Sequence, residues 1–231
     1  MIFPGKTLFS VLLASSISLH AIEPIDSEQA TNWLGVEVIR PEQAGIGKKI
    51  ADVPFFELQG QRSSLHRLAG NKGMVVVVRD PECPVSRRYG PRIAAMARNY
   101  SDKGFSFVFI YLNEHLNADR LEKDARDLQV SGVKIGKGSF AIAEALGVKS
   151  TGDVFVLDRE YRLVYRGAID DQYGFGYTQD APTHNYLRNA LEAELKSWPV
   201  ATPATLAPGC IIDADPEKDD LLPIPPDAAL S

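Results

Sequence analysis

Apolar positions along the middle of the chain switch between two periods, and the switching predicts strands and helices in turn. A short apolar stretch over 53–58, a polar turn over 59–62 and a helix-like segment over 63–68 come first. Residues 74–78 are a nearly continuous β-branched run, the pattern of a strand buried on both faces. Residues 84–100 then place Val85, Tyr89, Ile93, Met96 and Ala97 at helical spacing, and 105–112 reads again as a strand. Amphipathic helices are predicted over 117–128 and 139–146, and a buried strand over 154–157. A hairpin turn at Arg159 and Glu160 leads into 163–165, and a last helix covers 183–195. This order predicts an α/β layer fold with parallel strands joined by right-handed crossovers and a terminal antiparallel hairpin.

Both ends of the chain depart from that alternation. Residues 1–21 combine Lys6, an apolar run over 8–19 and small residues at Ser16, Ser18 and Ala21, which is the pattern of a cleaved secretory signal peptide. Such a run is too short to cross a hydrocarbon core of about 30 Å at about 1.5 Å per residue. The expectation is a secreted or periplasmic protein without a membrane span, in a compartment where disulfides persist. No cysteine follows the run, so a lipid attachment point is absent. Residues 22–49 read as an N-terminal extension and 50–198 as the folded domain. Residues 199–231 hold seven of the 15 prolines and an acidic patch over 213–220. With that proline content the segment is predicted to be neither helix nor central strand, but a tail wrapped on the domain to about Asp213 and loose beyond.

Composition narrows the function classes. A chain of 231 residues with 45% hydrophobic content has room for one globular core. Lys and Arg total 25 against 30 Asp and Glu, a net charge of -5; loss of Lys6 with the signal segment makes it -6. That balance offers no basic face to a phosphate backbone, so nucleic acid is not an expected partner. Two cysteines, Cys83 and Cys210, exclude a disulfide-rich scaffold and a four-thiolate metal site. No cofactor is expected.

Candidate chemistry centres on Cys83, which follows the buried strand and precedes the helix in Arg79-Asp80-Pro81-Glu82-Cys83-Pro84-Val85-Ser86-Arg87-Arg88. A thiol at a helix N-terminus faces unpaired N–H groups and the positive end of the helix dipole, both of which favour thiolate. Pro84 fits the first helical position. Arg87 and Arg88 add positive charge one turn in, whereas Asp80 and Glu82 oppose it, so the sign of the net shift stays open.

Strand, Cys-Pro-Val-Ser and a helix carrying Pro91 eight residues after the cysteine resemble the active-site segment of the thioredoxin superfamily. The segments 51–58 and 64–70 resemble the entry hairpin and helix of its redoxin branch, which includes peroxiredoxins (AhpC/TSA) and TlpA-like proteins. Residues 82–86, 154–158, 165–171 and 208–210 are similar to a secreted redoxin-domain subfamily. The resemblance spans about residues 45–212 and implies a thioredoxin-like fold, a central mixed sheet flanked by helices, with thiol–disulfide or peroxide chemistry at Cys83.

Three positions depart from that pattern. Ser86 stands where a dithiol oxidoreductase has its second cysteine, so a mixed disulfide on Cys83 has no local resolving thiol. Its hydroxyl either donates to the thiolate or is simply a small polar first-turn residue. Thr151-Gly152-Asp153 replaces the threonine and cis-proline that border the superfamily's site and form its substrate-docking edge. Asp80 and Val76 stand where peroxiredoxins have a threonine or serine and a proline, and a carboxylate beside a thiolate disfavours peroxide reduction.

Cys210 lies in Leu206-Ala207-Pro208-Gly209-Cys210-Ile211-Ile212, where the tail turns apolar. Three readings stay open: a redox partner for Cys83, as with the C-terminal resolving cysteine of two-cysteine peroxiredoxins; a permanent disulfide pinning the tail; or two thiols that never meet. Arg166 is a candidate for orienting an anionic substrate or the thiolate, against the commoner exposed strand-end arginine. The loop 170–177 is expected to rim the site or cover the core edge, and His184 to open the final helix without catalytic duty. His66 and His115 form no ligand spacing with Cys83, so no metal site is expected; copper is the metal a thiolate–histidine pair would suit.

The residues that carry the reading are thus Cys83, Ser86, Thr151, Arg166 and Cys210. They point to an exported thiol-dependent oxidoreductase acting on a thiol or disulfide protein or a small peroxide, reset by an external reductant. The competing reading is a thioredoxin-fold binding or assembly module whose site has degenerated at Ser86, Gly152 and Asp80, with copper among its cargoes.

Overall fold

A computed structural model of the chain describes residues 36–113, 116–129, 134–137, 140–174 and 176–212. The signal segment, residues 22–35 of the N-terminal extension, His115 and the tail beyond Ile212 lie outside the described residues. The strands are β1 (Pro54–Glu57), β2 (Arg62–Ser64), β3 (Gly73–Arg79), β4 (Phe105–Tyr111), β5 (Lys134–Lys137), β6 (Val154–Asp158) and β7 (Leu163–Gly167). They form a mixed sheet in the order β2-β1-β5-β4-β3-β6-β7. Strands β3, β4 and β5 run parallel, while β6, β7, β1 and β2 pair antiparallel toward the two edges. The helices are α1 (Pro84–Ser101), α2 (Ala118–Leu128), α3 (Phe140–Leu146) and α4 (Tyr186–Leu195).

The β-branched run of β3 is buried at every position because helices cover both faces of the sheet. Val75 and Val77 pack with Ile93 and Ala97 of α1 and Leu187 and Leu191 of α4. Met74, Val76 and Val78 face the other way, toward Ile142 and Leu146 of α3 and Phe155 of β6. Each such side chain contributes about 1.5–3 kcal/mol relative to exposure. The strand's C-terminal end, where Cys83 follows, is therefore anchored in the buried core.

Four segments differ from their expected form. Residues 63–68 are not one helical piece: Ser63 pairs with Phe55 in β2, and only His66–Leu68 makes a 3-10 turn. Asp52 decides this, since its carboxylate accepts from the Ser64 hydroxyl at 3.0 Å and the His66 N–H at 2.9 Å. The last helix starts at Tyr186 rather than residue 183, because the N–H groups of Thr183 and His184 donate instead to Asp171, at 2.8 and 2.9 Å. Strand β5 had no alternating pattern in Lys-Ile-Gly-Lys to announce it, and pairs with β4 and β1 through the backbone. Within 170–177 the chain forms a small hairpin, β8 (Tyr173–Gly174) with β9 (Tyr177–Thr178), where a loop was expected.

The tail root runs beside β7. Arg166 N–H donates to the Pro203 carbonyl at 3.0 Å and Thr205 N–H to the Arg166 carbonyl at 3.1 Å. On its other side Ile39 N–H donates to Ala204 and Leu206 N–H to Glu37. Pairing stays limited to isolated bridges, as a segment with Pro203 and Pro208 lacks two of the N–H groups a ladder needs. Gly167, at φ +134°, permits this approach, since a Cβ there would overlap Thr205.

Candidate active site

Cys83 is the N-cap of α1, with φ -75° and ψ 122°, and Pro84 takes the first helical position. A short link, Asp80-Pro81-Glu82, turns the chain from β3 into the helix. Asp80 closes that turn: its carboxylate accepts from Glu82 N–H at 2.8 Å and from the Asn113 side chain at 3.3 Å, and its carbonyl accepts from Cys83 N–H at 3.2 Å. The Ser86 hydroxyl oxygen accepts from Asp80 N–H at 3.1 Å, so it faces the turn. It is the Ser86 backbone N–H that reaches the Cys83 sulfur.

Beneath this turn lies a buried ionic cluster. Arg79, 3% exposed, makes a bidentate pair with Asp124, 8% exposed, through Nε at 3.0 Å and Nη2 at 2.7 Å. Its remaining nitrogen, Nη1, donates to the Ser86 carbonyl at 2.8 Å, and the Tyr111 hydroxyl donates to Asp124 at 2.7 Å. Desolvating two charges is costly and is offset only when the hydrogen bonds are saturated, as they are here. The cluster thus ties β3, β4 and α2 to the first turn of the cysteine helix.

The tail brings Cys210 to the same place. Beyond its root, the segment 207–212 runs antiparallel to 149–152. Thr151 N–H donates to the Cys210 carbonyl at 2.9 Å, Cys210 N–H to the Thr151 hydroxyl at 2.9 Å, and Ile212 N–H to the Lys149 carbonyl at 3.0 Å. The Ser150 hydroxyl donates to the Ala207 carbonyl at 3.1 Å. Gly152 and Gly209 make the approach possible: a Cβ on Gly152 would overlap the Pro208 carbonyl, and one on Gly209 would come within 2.7 Å of the Gly152 nitrogen. The chain's own tail is thus docked against Gly152, a position already marked in the sequence by the absence of a proline.

The two thiols influence each other, and their acidities split. Burial pushes the Cys83 thiol up. It is outweighed by the Cys210 thiol, the Ser86 N–H and the Thr151 hydroxyl, which favour the charged sulfur and together hold its pKa below the ordinary thiol value. Cys210 moves the other way, to about 11, because it donates to Cys83, is partly desolvated, and sits near the negative charge of Cys83 and Asp80. One thiolate shared by the pair therefore resides on Cys83. Cys83 is only 1% exposed, whereas Cys210 faces solvent, and both are free thiols.

Cys83, Ser86, Thr151 and Cys210 converge, and Arg166 does not join them. Its guanidinium lies over the Phe155 ring, donates to the Gly147 carbonyl at 2.7 Å and stands 3.8 Å from Asp153. It is neither an exposed strand-end arginine nor a thiolate ligand. Its partner Asp153 is buried and accepts from the Lys149 and Ser150 N–H groups at 2.7 and 3.1 Å, so the pair shapes the turn on which the tail docks. Arg88 also points elsewhere, to Thr178 of β9 at 3.0 Å, and hydrogen bonds rather than arginine charge lower Cys83. His184 pairs with Asp171 at 2.9 Å, away from the thiols. Among the described residues no cluster of histidine, cysteine and carboxylate is placed to hold a metal ion, and no helix is long and apolar enough to cross a membrane.

Arg79, Asp124, Asn113 and Asp153 were missed from sequence. A signal for one pair was available. Asp124 interrupts the apolar stripe Leu121, Asp124, Leu128 on α2, and Arg79 ends a strand buried on both faces; each is a charge on a surface that must be buried.

A parallel strand of a mixed sheet, running into a helix capped by a cysteine and facing a turn that accepts an extended segment, defines a thioredoxin-like fold. Solved structures agree. An uncharacterized conserved protein from Geobacillus kaustophilus matches with a TM-score of 0.66 and 22% identity, over 79% of this chain and 96% of its own. A hypothetical protein from Sinorhizobium meliloti 1021 matches with a TM-score of 0.65 and 27% identity, over 78% and 97%. A chain assigned as a thiol:disulfide interchange protein, from Chlorobium tepidum, matches with a TM-score of 0.51 and 18% identity, over 65% and 97%. No family model matches the sequence, and no curated protein does.

Proposed function

We propose that the protein is an exported thiol-dependent oxidoreductase of the redoxin type, with Cys83 as nucleophile and Cys210 as its partner within the chain. The observation that carries this reading is the docking of Cys210 on Thr151 beside Cys83, with acidities split in favour of a Cys83 thiolate. With a disulfide substrate, the Cys83 thiolate attacks one sulfur and the other leaves as a thiolate. Cys210 then loses its proton and attacks the Cys83 sulfur, releasing the second substrate thiolate and leaving a Cys83–Cys210 disulfide. With a peroxide, Cys83 takes one oxygen as a sulfenic acid while an alcohol or water leaves; attack by Cys210 expels water and forms the same disulfide. An external thiol reductant restores the pair. Export rests on residues 1–21 and on the use of a disulfide-forming pair, which suits an oxidising compartment.

Non-reducing peptide mapping after mild peroxide tests the pair. A Cys83–Cys210 linkage is expected in the wild type, and a trappable Cys83 sulfenic acid in Cys210→Ser. No linkage, together with Cys83 alkylation no faster than that of free cysteine at neutral pH, would favour a non-catalytic binding module.

A further inference from the structure

The pair is reversed in exposure relative to its acidity, and this has a consequence for the reductant. In the reduced protein the nucleophilic sulfur, Cys83, is buried, and the donors around it are Ser86 N–H, Thr151 Oγ1 and Cys210 itself. Ser86 and Thr151 are themselves buried. Cys210 lies on the outer face of the docked tail, followed by Ile211, which is 86% exposed. Backbone pairing with 149–151 and the close Gly152–Gly209 contact hold Cys210 in that position.

Resting on the redox-pair reading above, we infer that an external dithiol reductant enters the Cys83–Cys210 disulfide at Cys210 and that Cys83 is the sulfur that leaves. Two independent factors select this direction. Access is one: displacement at sulfur needs an approach from outside the S–S bond, and of the two residues only Cys210 is exposed. The leaving group is the other: the sulfur that departs faster is the one whose thiolate is better stabilised, and the Ser86 N–H and Thr151 hydroxyl remain beside Cys83 to stabilise it there once Cys210 is bonded to the reductant. The reductant's thiolate bonds to the Cys210 sulfur, the Cys83–Cys210 bond breaks, and its electron pair leaves on Cys83. The reductant's second thiol, losing its proton, then attacks its own sulfur in the mixed disulfide. It departs oxidised, with an internal disulfide, and Cys210 leaves as a thiolate that takes a proton. Electrons therefore enter on the tail and leave from the domain.

The experiment starts from wild-type protein oxidised with mild peroxide and shown by non-reducing mapping to hold the Cys83–Cys210 disulfide. Excess glutathione is added, the reaction is quenched with acid at short times, free thiols are alkylated and the peptides are mapped. Glutathione on Cys210 with alkylated Cys83 is expected to exceed the opposite pattern at least tenfold. Equal amounts, or glutathione mainly on Cys83, overturn the inference and leave the redox pair standing. Failure to form the disulfide before glutathione is added overturns the redox pair and this inference with it.

Discussion

Cys83 rests on side chains from three elements, whereas Cys210 is delivered by backbone pairing of a proline-broken tail. Under Cys83, the saturated Arg79–Asp124–Tyr111 cluster fixes the first turn of α1, and loss of either Arg79 or Asp124 alone leaves a buried charge without a partner. Under Cys210, the contacts are single bridges and a glycine-to-glycine approach, which tolerate no added bulk and are made by backbone rather than by charged side chains. The contrast teaches that one sulfur is positioned by the stability of the whole domain and the other by a local docking that can change without unfolding it.

The sharpest way to break that contrast is to remove Arg79. Arg79→Met should cost about 3–5 kcal/mol in urea unfolding by stranding Asp124, and Arg79→Met with Asp124→Leu should recover most of it. A loss below about 1 kcal/mol would show that the cluster does not anchor the Cys83 turn. Gly152→Ala should act on the tail alone. Its Cβ displaces the Pro208 carbonyl, at a cost of about 1–3 kcal/mol, and the yield of Cys83–Cys210 disulfide should fall at least tenfold while the domain stays folded. An unchanged yield would mean that Cys210 reaches Cys83 by another route.

The smallest effect sharpens the comparison through pH. Ultraviolet titration of the wild type should show one thiolate forming below the ordinary thiol range and a second near pH 11. Cys83, acidified by folding, contributes stability above the ordinary thiol pKa, and that stability is lost as pH falls through its folded value. Cys210 has the opposite sign: its contribution is present below the ordinary value and is lost as pH rises toward about 11. Thr151→Val removes one donor to Cys83 and should raise its midpoint by about one unit, since a hydrogen bond to a charged group is worth about 1.5 kcal/mol. Thr151→Ser should restore it; a midpoint that ignores both changes would remove Thr151 from the site.

Much of the fold was legible because β3, β4, β6 and α1 are long and strongly patterned. Strand β5 and the β8–β9 hairpin were not, because four- and two-residue strands made by backbone pairing leave little mark on side-chain pattern. Residues 63–68 and 183–185 depart from their helical pattern for a common reason: distant carboxylates, Asp52 and Asp171, capture their N–H and hydroxyl groups. Of the site, Cys83 was placed by its neighbours in the chain, Pro84 and the preceding strand. The setting of Arg166 was not legible for the converse reason, since its partners Gly147 and Asp153 sit on other elements.

The sequence by itself determined the α/β layering and the placing of a lone cysteine at the start of a helix that follows a buried strand. Both are local consequences of periodicity and capping. It left open whether Cys210, 127 positions downstream, meets Cys83, which way the Cys83 acidity moves, and which charges lie buried beneath it. Only the tertiary structure decided these, because they depend on hydrogen bonds and close approaches between segments far apart in the chain. The decisive one is the space above Gly152, which exists because a side chain is absent there and which the tail fills.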